Sequence, residues 1–222
     1  MDMALTHPEH GYYTSPVDDF EEDMLEDASR IGKRGDFITA PEISQLFGEC
    51  LLIFFLTQHQ RLGEKKFRFV ELGPGKGTLI ADILYASITS FPGFTNCIDG
   101  VHLVEVSHEM RRAQLTALKH LKKKLEGYRL VFPDEDEHEE SEEHRDIPVH
   151  WNDSLSDVPS VTDTAQFVIC QELLDALPVH SFQKTEEGWR ERLVDVDSLD
   201  ESPYDSYCNH NSFDSGLSLV AL

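Results

Sequence analysis

Apolar positions in this chain change period from two to three or four and back again. Phe67, Phe69, Val70 and Leu72 form a short apolar run with strand character. The chain then crosses three glycines into Leu79, Ile80, Ile83, Leu84, Ser87 and Ile88, which recur at helical spacing. A second apolar run, 101–106, leads through Ser107, a good helix N-cap, into Met110, Ala113, Ala117, Leu118, Leu121 and Leu125 at helical spacing. Residues 128–132 read as a short strand, 147–151 as strand three and 167–170 as strand four. Upstream, Ile43, Leu46, Phe47, Cys50, Leu51, Phe54 and Phe55 mark the buried stripe of a helix that ends near Gly63. Leu52, Ile53 and Leu56 widen that stripe, so this helix is expected to be covered on most sides. Thr39 and Glu42 have capping-box spacing, and Pro41 suits a first helical turn. Residues 179–183 and 189–196 flank 184–188 as a β-hairpin. Beyond Asp197 the periodicity collapses. Residues 198–213 are rich in Ser, Asp, Asn and Tyr, and the apolar residues at 217–222 are too few to close a fold.

The alternation of strand and helix predicts an α/β fold, a parallel sheet with helices on both faces. Ligands in such sheets bind beyond the carboxyl ends of the strands. Glu71, Glu105, Asp153 and Glu172 all fall at such ends. The turn after the first strand, Glu71-Leu72-Gly73-Pro74-Gly75-Lys76-Gly77-Thr78, admits three readings. A P-loop needs Gly-Lys-Ser/Thr, and Lys76 is followed by Gly77, so that reading fails. A dinucleotide fingerprint needs G-x-G-x-x-G, and Thr78 stands in the place of its third glycine. The third reading is E-x-G-x-G-x-G. A carboxylate at Glu71 would repel a pyrophosphate but suits a cationic ligand or an ammonium group, and S-adenosylmethionine carries both a sulfonium and an ammonium. Glu105, at the end of the second strand, is placed to accept ribose hydroxyls. It lies farther past the glycines than the spacing of about 20 residues usual for dinucleotide sites.

Charge and cysteines narrow the class. The 222 residues hold 42 acids and 19 bases, a formal charge of −23. Nearly all of the excess sits in three runs, 18–27, 134–146 and 195–222, which read as solvated loops. This distribution argues against nucleic-acid binding, which favours a basic footprint. Cys50, Cys97, Cys170 and Cys208 form no C-x-x-C pair, and the eleven histidines show no H-E-x-x-H. A reducing compartment and no metal site are expected. The longest apolar stretch, 50–56, is too short to span a bilayer, so no membrane insertion is expected. No signal peptide or basic presequence is read in the chain, whose first Lys or Arg is Arg30.

Several of these segments together resemble the MidA family. They are Gly11-Tyr12-Tyr13; Gly35-Asp36-Phe37-Ile38-Thr39-Ala40-Pro41-Glu42-Ile43-Ser44; the glycine turn; His102-Leu103-Val104-Glu105-Val106-Ser107; and Glu172-Leu173-Leu174-Asp175-Ala176-Leu177-Pro178-Val179. The resemblance implies a Rossmann-like class I sheet that binds S-adenosyl-L-methionine. It also implies a mitochondrial protein-arginine methyltransferase acting on a subunit of respiratory complex I during its assembly. On this reading Glu71, Gly73, Pro74, Gly75, Gly77, Glu105 and Asp153 bind the cofactor. Asp36, Phe37 and Thr39 form a lid on it. Glu172 and Asp175 hold the substrate guanidinium, or else are acids that complement a helix N-terminus. The family continues past Asp197 into further strands, so the sheet is expected to be incomplete at its C-terminal end. The expected divisions are an N-terminal helical segment, 1–66, a cofactor-binding α/β domain, 67–197, and an unpatterned tail, 198–222. Two functions stay open: an active methyltransferase, or a catalytically incompetent form that keeps binding surfaces.

Overall fold

The computed structural model describes residues 4–5, 7, 11–13, 37–63, 65–122, 125–133, 144–196 and 217–221. The chain divides into two compact units, one formed by Met1–Ser15 with Ala176–Leu222 and the other by Pro16–Asp175. Along the larger unit run α1 (Ala40–Ile43), α2 (Leu46–Arg61), β1 (Phe67–Leu72), α3 (Thr78–Ser90), α4 (Pro92–Thr95), β2 (Ile98–Val104), α5 (His108–Lys122), β3 (Tyr128–Val131), β4 (Arg145–Asn152) and β5 (Ala165–Ile169). The strands form one sheet in the order β3-β4-β2-β1-β5, and every pairing is parallel. The chain therefore runs outward from β1 in both directions, which places the topological switch point at the carboxyl end of β1.

Side chains alternate across a strand, and the register sorts them onto two faces. Phe67, Phe69 and Glu71 of β1 share a face with Val101 and Leu103 of β2, Val149 and Trp151 of β4, and Phe167 and Ile169 of β5. On this face the rings pack against one another in T-shaped and tilted pairs. Phe55 of α2 lies 5.4 Å from Phe69 and 5.0 Å from Phe167, and Phe94 of α4 lies 4.7 Å from Phe67. His59 of α2 sits 5.0 Å from Phe67, and its Nε2 bonds the Lys65 carbonyl at 2.8 Å inside the core. The helix α3 touches both α2 and α5. Apolar burial of this kind, with aromatic pairing on top of it, is the main source of stability here.

Among the described residues the opposite face differs from the expectation of helices on both sides, though its Arg68, Val70 and His102 are buried. It carries Arg68, Val70, His102, Asn152 and Val168. Among the described residues the connection from β4 to β5 is a short 3-10 turn, Leu155–Asp157, and an irregular segment instead of a helix. That segment caps the buried Arg68, whose Nη2 donates to the Pro159 carbonyl. Val168 stays 53% exposed, and β5 is a sheet edge.

Other expectations are also revised. The helix expected to start near Thr39 is broken at Ser44, whose backbone is extended. The turn of α2 that faces the core carries Gly48, Leu52, Phe55 and His59. Ile43, Leu46, Ile53 and Phe54 are more than half exposed. A helix that is apolar nearly all round has no unique stripe, so the pattern alone cannot choose its buried face. The capping box does not form either. Thr39 makes no side-chain cap, and the Glu42 carboxylate instead accepts the Thr78 hydroxyl. Strand boundaries shift by a few residues, with β2 starting at Ile98 and ending before Glu105. Arg145 and Asp146, the end of the acidic run, belong to β4, and Asp146 takes two 2.8 Å bonds from Arg129 of β3. Residues 134–143 lie outside the described part.

In the smaller unit β6 (Ser181–Thr185) and β7 (Gly188–Val196) form the expected hairpin, with its turn at 186–187. The apolar run near the C-terminus is not idle. It forms β8 (Leu217–Ala221), antiparallel to β7. No helix among the described residues is long and apolar enough to cross a membrane.

Phe69 is fully buried beside four other rings. Phe69→Ala should destabilise the chain by about 3–5 kcal/mol. Urea unfolding should show a lower midpoint with an unchanged slope, and an unchanged midpoint would remove the ring cluster from the core.

Candidate functional site

The site is built around the end of β1. The Gly73 amide donates to the Val104 carbonyl at 3.0 Å, which extends the β1–β2 ladder by one residue before the chain turns. The turn is closed by Gly77 N–H to the Pro74 carbonyl at 2.9 Å. Gly73, Gly75 and Gly77 have φ of 60°, 54° and 80°. At two of these glycines an added side chain would also be crowded. A Cβ on Gly73 would lie 2.7 Å from Leu173 Cδ1, and one on Gly77 would lie 3.2 Å from the Gln114 backbone. The helix α3 follows with no side-chain cap, so its first N–H groups are left for a ligand.

Glu71 points into this region from the ring-lined face. It is 2% exposed, and its Oε2 has no hydrogen-bond partner. Burial pushes its pKa from 4.5 up to about 8. A buried carboxylate without a partner is costly unless something cationic joins it. Asp82, one turn into α3, is also raised, to about 6, by burial and by the nearby charges of Glu49 and Glu42.

Glu105 lies just past β2 and continues the ladder through its N–H to the Asn152 carbonyl at 3.0 Å. Its Oε1 accepts Ser107 N–H at 2.9 Å, and its Oε2 accepts Gln114 Nε2 at 3.3 Å. Burial raises its pKa, while those donors and the Arg111 charge pull it back. Asp153, after β4, is 79% exposed in its side chain and paired with Arg111 at 2.5 Å. Arg111 Nε also donates to the Glu105 carbonyl at 2.8 Å, so one guanidinium ties the ends of β2 and β4 together.

The loop after β5 carries Glu172 and Asp175. It is not helical, so the alternative role of helix-terminal acids falls away for both. Glu172 adopts φ 48°, the one positive φ at a non-glycine residue among those described, and such strain gathers at functional sites. Its carboxylate accepts Gln171 Nε2 at 3.0 Å and is otherwise turned to solvent. Leu173 covers Gly73, which holds this loop over the glycine turn. Asp175 is exposed as well. Phe37 lies in an isolated bridge and is 39% exposed, while Thr39 precedes α1. Asp36 is outside the described residues. The bond from Thr78 to Glu42 nonetheless fastens the 37–43 segment to the start of α3.

Gln114 escaped the reading of the sequence. It is fully buried in the middle of α5, where the apolar stripe of Met110, Leu118 and Leu121 passes. A polar residue on an apolar stripe is the signal that marks it.

The donor set fits a ligand with a cationic amine and a sugar diol. Glu71 offers an unpaired buried carboxylate, Glu105 an anchored one, and the glycine turn three left-handed residues without side chains of their own. The sequence matches a family of S-adenosyl-L-methionine-dependent methyltransferases over residues 50–219. It is 41% identical over 198 residues to the mitochondrial protein arginine methyltransferase NDUFAF7 of Bos taurus, covering 89% of this chain and 41% of that protein. Identity to the Homo sapiens protein of that name is 40% over 201 residues, with the same coverage. The crystal structure of a Burkholderia thailandensis protein bound to S-adenosyl-homocysteine aligns with a TM-score of 0.63 at 25% identity, taking in 100% of this chain and 43% of that one. The chain spans about two fifths of the length of the curated relatives it matches.

Glu71 sets a pH dependence. Its folded pKa of about 8 exceeds the unfolded 4.5, so between these values the folded chain holds more protons than the unfolded one. Stability therefore falls as pH rises through that window, and the loss is complete above about 8. Glu71→Gln removes the penalty. The variant should melt at a higher temperature than the parent at pH 9, with the advantage vanishing at pH 4. Parallel melting curves at both pH values would show that Glu71 ionises freely.

Proposed function

This chain belongs to the family of S-adenosyl-L-methionine-dependent methyltransferases, which it matches over residues 50–219, and on that premise we propose that it binds S-adenosylmethionine at the glycine turn and forms the cofactor-binding part of a protein-arginine methyltransferase. The observation that carries this reading is Glu71, a buried carboxylate with an oxygen left unpaired beside three left-handed glycines. Its charge, unfavourable alone, is neutralised by the ammonium group of the cofactor. Glu105 holds the ribose hydroxyls with a carboxylate already anchored by Ser107 and Gln114. Gly73, Pro74, Gly75 and Gly77 give the backbone surface, and Asp153 flanks it through Arg111. Phe37 and Thr39 serve as a lid over it.

The cofactor supplies an electrophilic methyl group; the residues supply orientation and charge. Arginine stays protonated in proteins, so its guanidinium needs carboxylates that hold it bidentately and take up its proton as the nitrogen reacts. Glu172 and Asp175 fill that role from the loop that Leu173 anchors over Gly73. The substrate is a protein, in keeping with the names of the relatives, and a mitochondrial location follows the same names. The resemblance to the MidA family extends this to an arginine of a respiratory complex I subunit.

Calorimetry with the 222-residue chain should show binding of S-adenosylmethionine and none of NADH, and the reverse result would sink this reading. In the whole enzyme, Glu172→Gln or Asp175→Asn should leave cofactor affinity within a few-fold while slowing methyl transfer on the order of 100-fold. Full turnover in both variants would remove these acids from the reaction.

A further inference from the structure

Gln114 makes bonds that only a primary amide can make together. Its Oε1 accepts Trp151 Nε1–H at 2.7 Å. Its Nε2 donates to the Gly75 carbonyl at 2.7 Å and to Glu105 Oε2 at 3.3 Å. An indole nitrogen is a donor only, and a carbonyl and an ionised carboxylate are acceptors only. The amide therefore has one orientation here, set by Trp151. Glu at this position would lack the donor, Lys the acceptor, and an apolar residue both. Gln114 is 0% exposed, so water cannot replace these bonds cheaply. Its backbone also lies 3.2 Å from the place a Cβ on Gly77 would occupy.

We propose that Gln114, oriented by Trp151, is the positioning residue of the cofactor cleft, joining the Gly75 carbonyl of the glycine turn to the Glu105 carboxylate so that backbone and acid meet the ligand in fixed relation. This rests on the proposal that the cleft binds an S-adenosyl ligand. The four groups come from β4, α5 and the two loops at the carboxyl ends of β1 and β2, so the amide links parts of the cleft that are distant in sequence. It acts through Glu105 and Gly75 and touches no reacting atom.

The test uses calorimetry on the full chain with S-adenosyl-homocysteine and with its 2′-deoxyribose analogue. The parent should prefer the hydroxylated ligand. Gln114→Met, close in volume but without the amide, should weaken S-adenosyl-homocysteine binding about tenfold or more and shrink that preference, because Glu105 is no longer held. Trp151→Phe removes only the orienting donor and should do the same more mildly, and it guards against a Gln114 variant that does not fold. Combined with Glu105→Gln, the loss from Gln114→Met should be smaller than the product of the two single losses. A lower melting temperature with unchanged affinity and unchanged ribose preference in folded variants would make Gln114 purely structural and overturn the proposal. So would losses that multiply in the double variant. No binding of S-adenosyl-homocysteine by the parent would overturn the reading of the cleft itself, and with it this inference.

Discussion

Burial of one face of β1 is the constraint on which the rest of this structure depends. The strand lies between β2 and β5, and its ring-lined face is sealed by α2 and α4. Alternation then carries Phe67 and Phe69 into the core and drags Glu71 in behind them. The same packing that stabilises the sheet places a carboxylate where water cannot reach it. An acid at that position is unfavourable to the isolated fold, which is the behaviour expected of a residue kept for a ligand.

The glycine turn is organised around the same strand end. Its left-handed residues let the chain reverse under Leu173 and against Gln114, so the loop after β5 and the helix after β2 both bear on it. Hydrogen bonds then knit the strand ends sideways. Arg111 joins Glu105 to Asp153, and Gln114 joins Gly75, Glu105 and Trp151. The bonds from Arg111 to Asp153 and from Gln114 to Gly75 and Trp151 cross between segments far apart in sequence. The cleft therefore has a polar frame built on an apolar floor.

The two faces of the sheet are unequal. Among the described residues, α2 and α4 pack their rings on one, and on the other an irregular segment bonds one guanidinium nitrogen of Arg68 through Pro159. Beside the open edge of β5, Phe47, Leu51 and Phe54 of α2 form an apolar groove with Val168 and Cys170.

The local features of the site were legible in the sequence. Strand, glycine turn and helix follow from short-range period and backbone freedom, and an acid directly before the turn needs no distant contact to be recognised. The position of Glu71 and Glu105 at the ends of their strands follows from the same pattern. So do the parallel sheet and the hairpin, because each strand's pattern is carried within a handful of residues. What the sequence could not determine rests on side chains meeting across long separations. Thr78 draws Glu42 away from its cap, Arg111 occupies Asp153, and Trp151 turns the amide of Gln114 toward Gly75. The buried face of α2 was likewise decided only by packing, since an all-round apolar helix offers several stripes of equal merit. Periodicity reports which residues can be buried, and tertiary contact chooses among them because the energy of a hydrogen bond or a filled cavity depends on the partner that arrives.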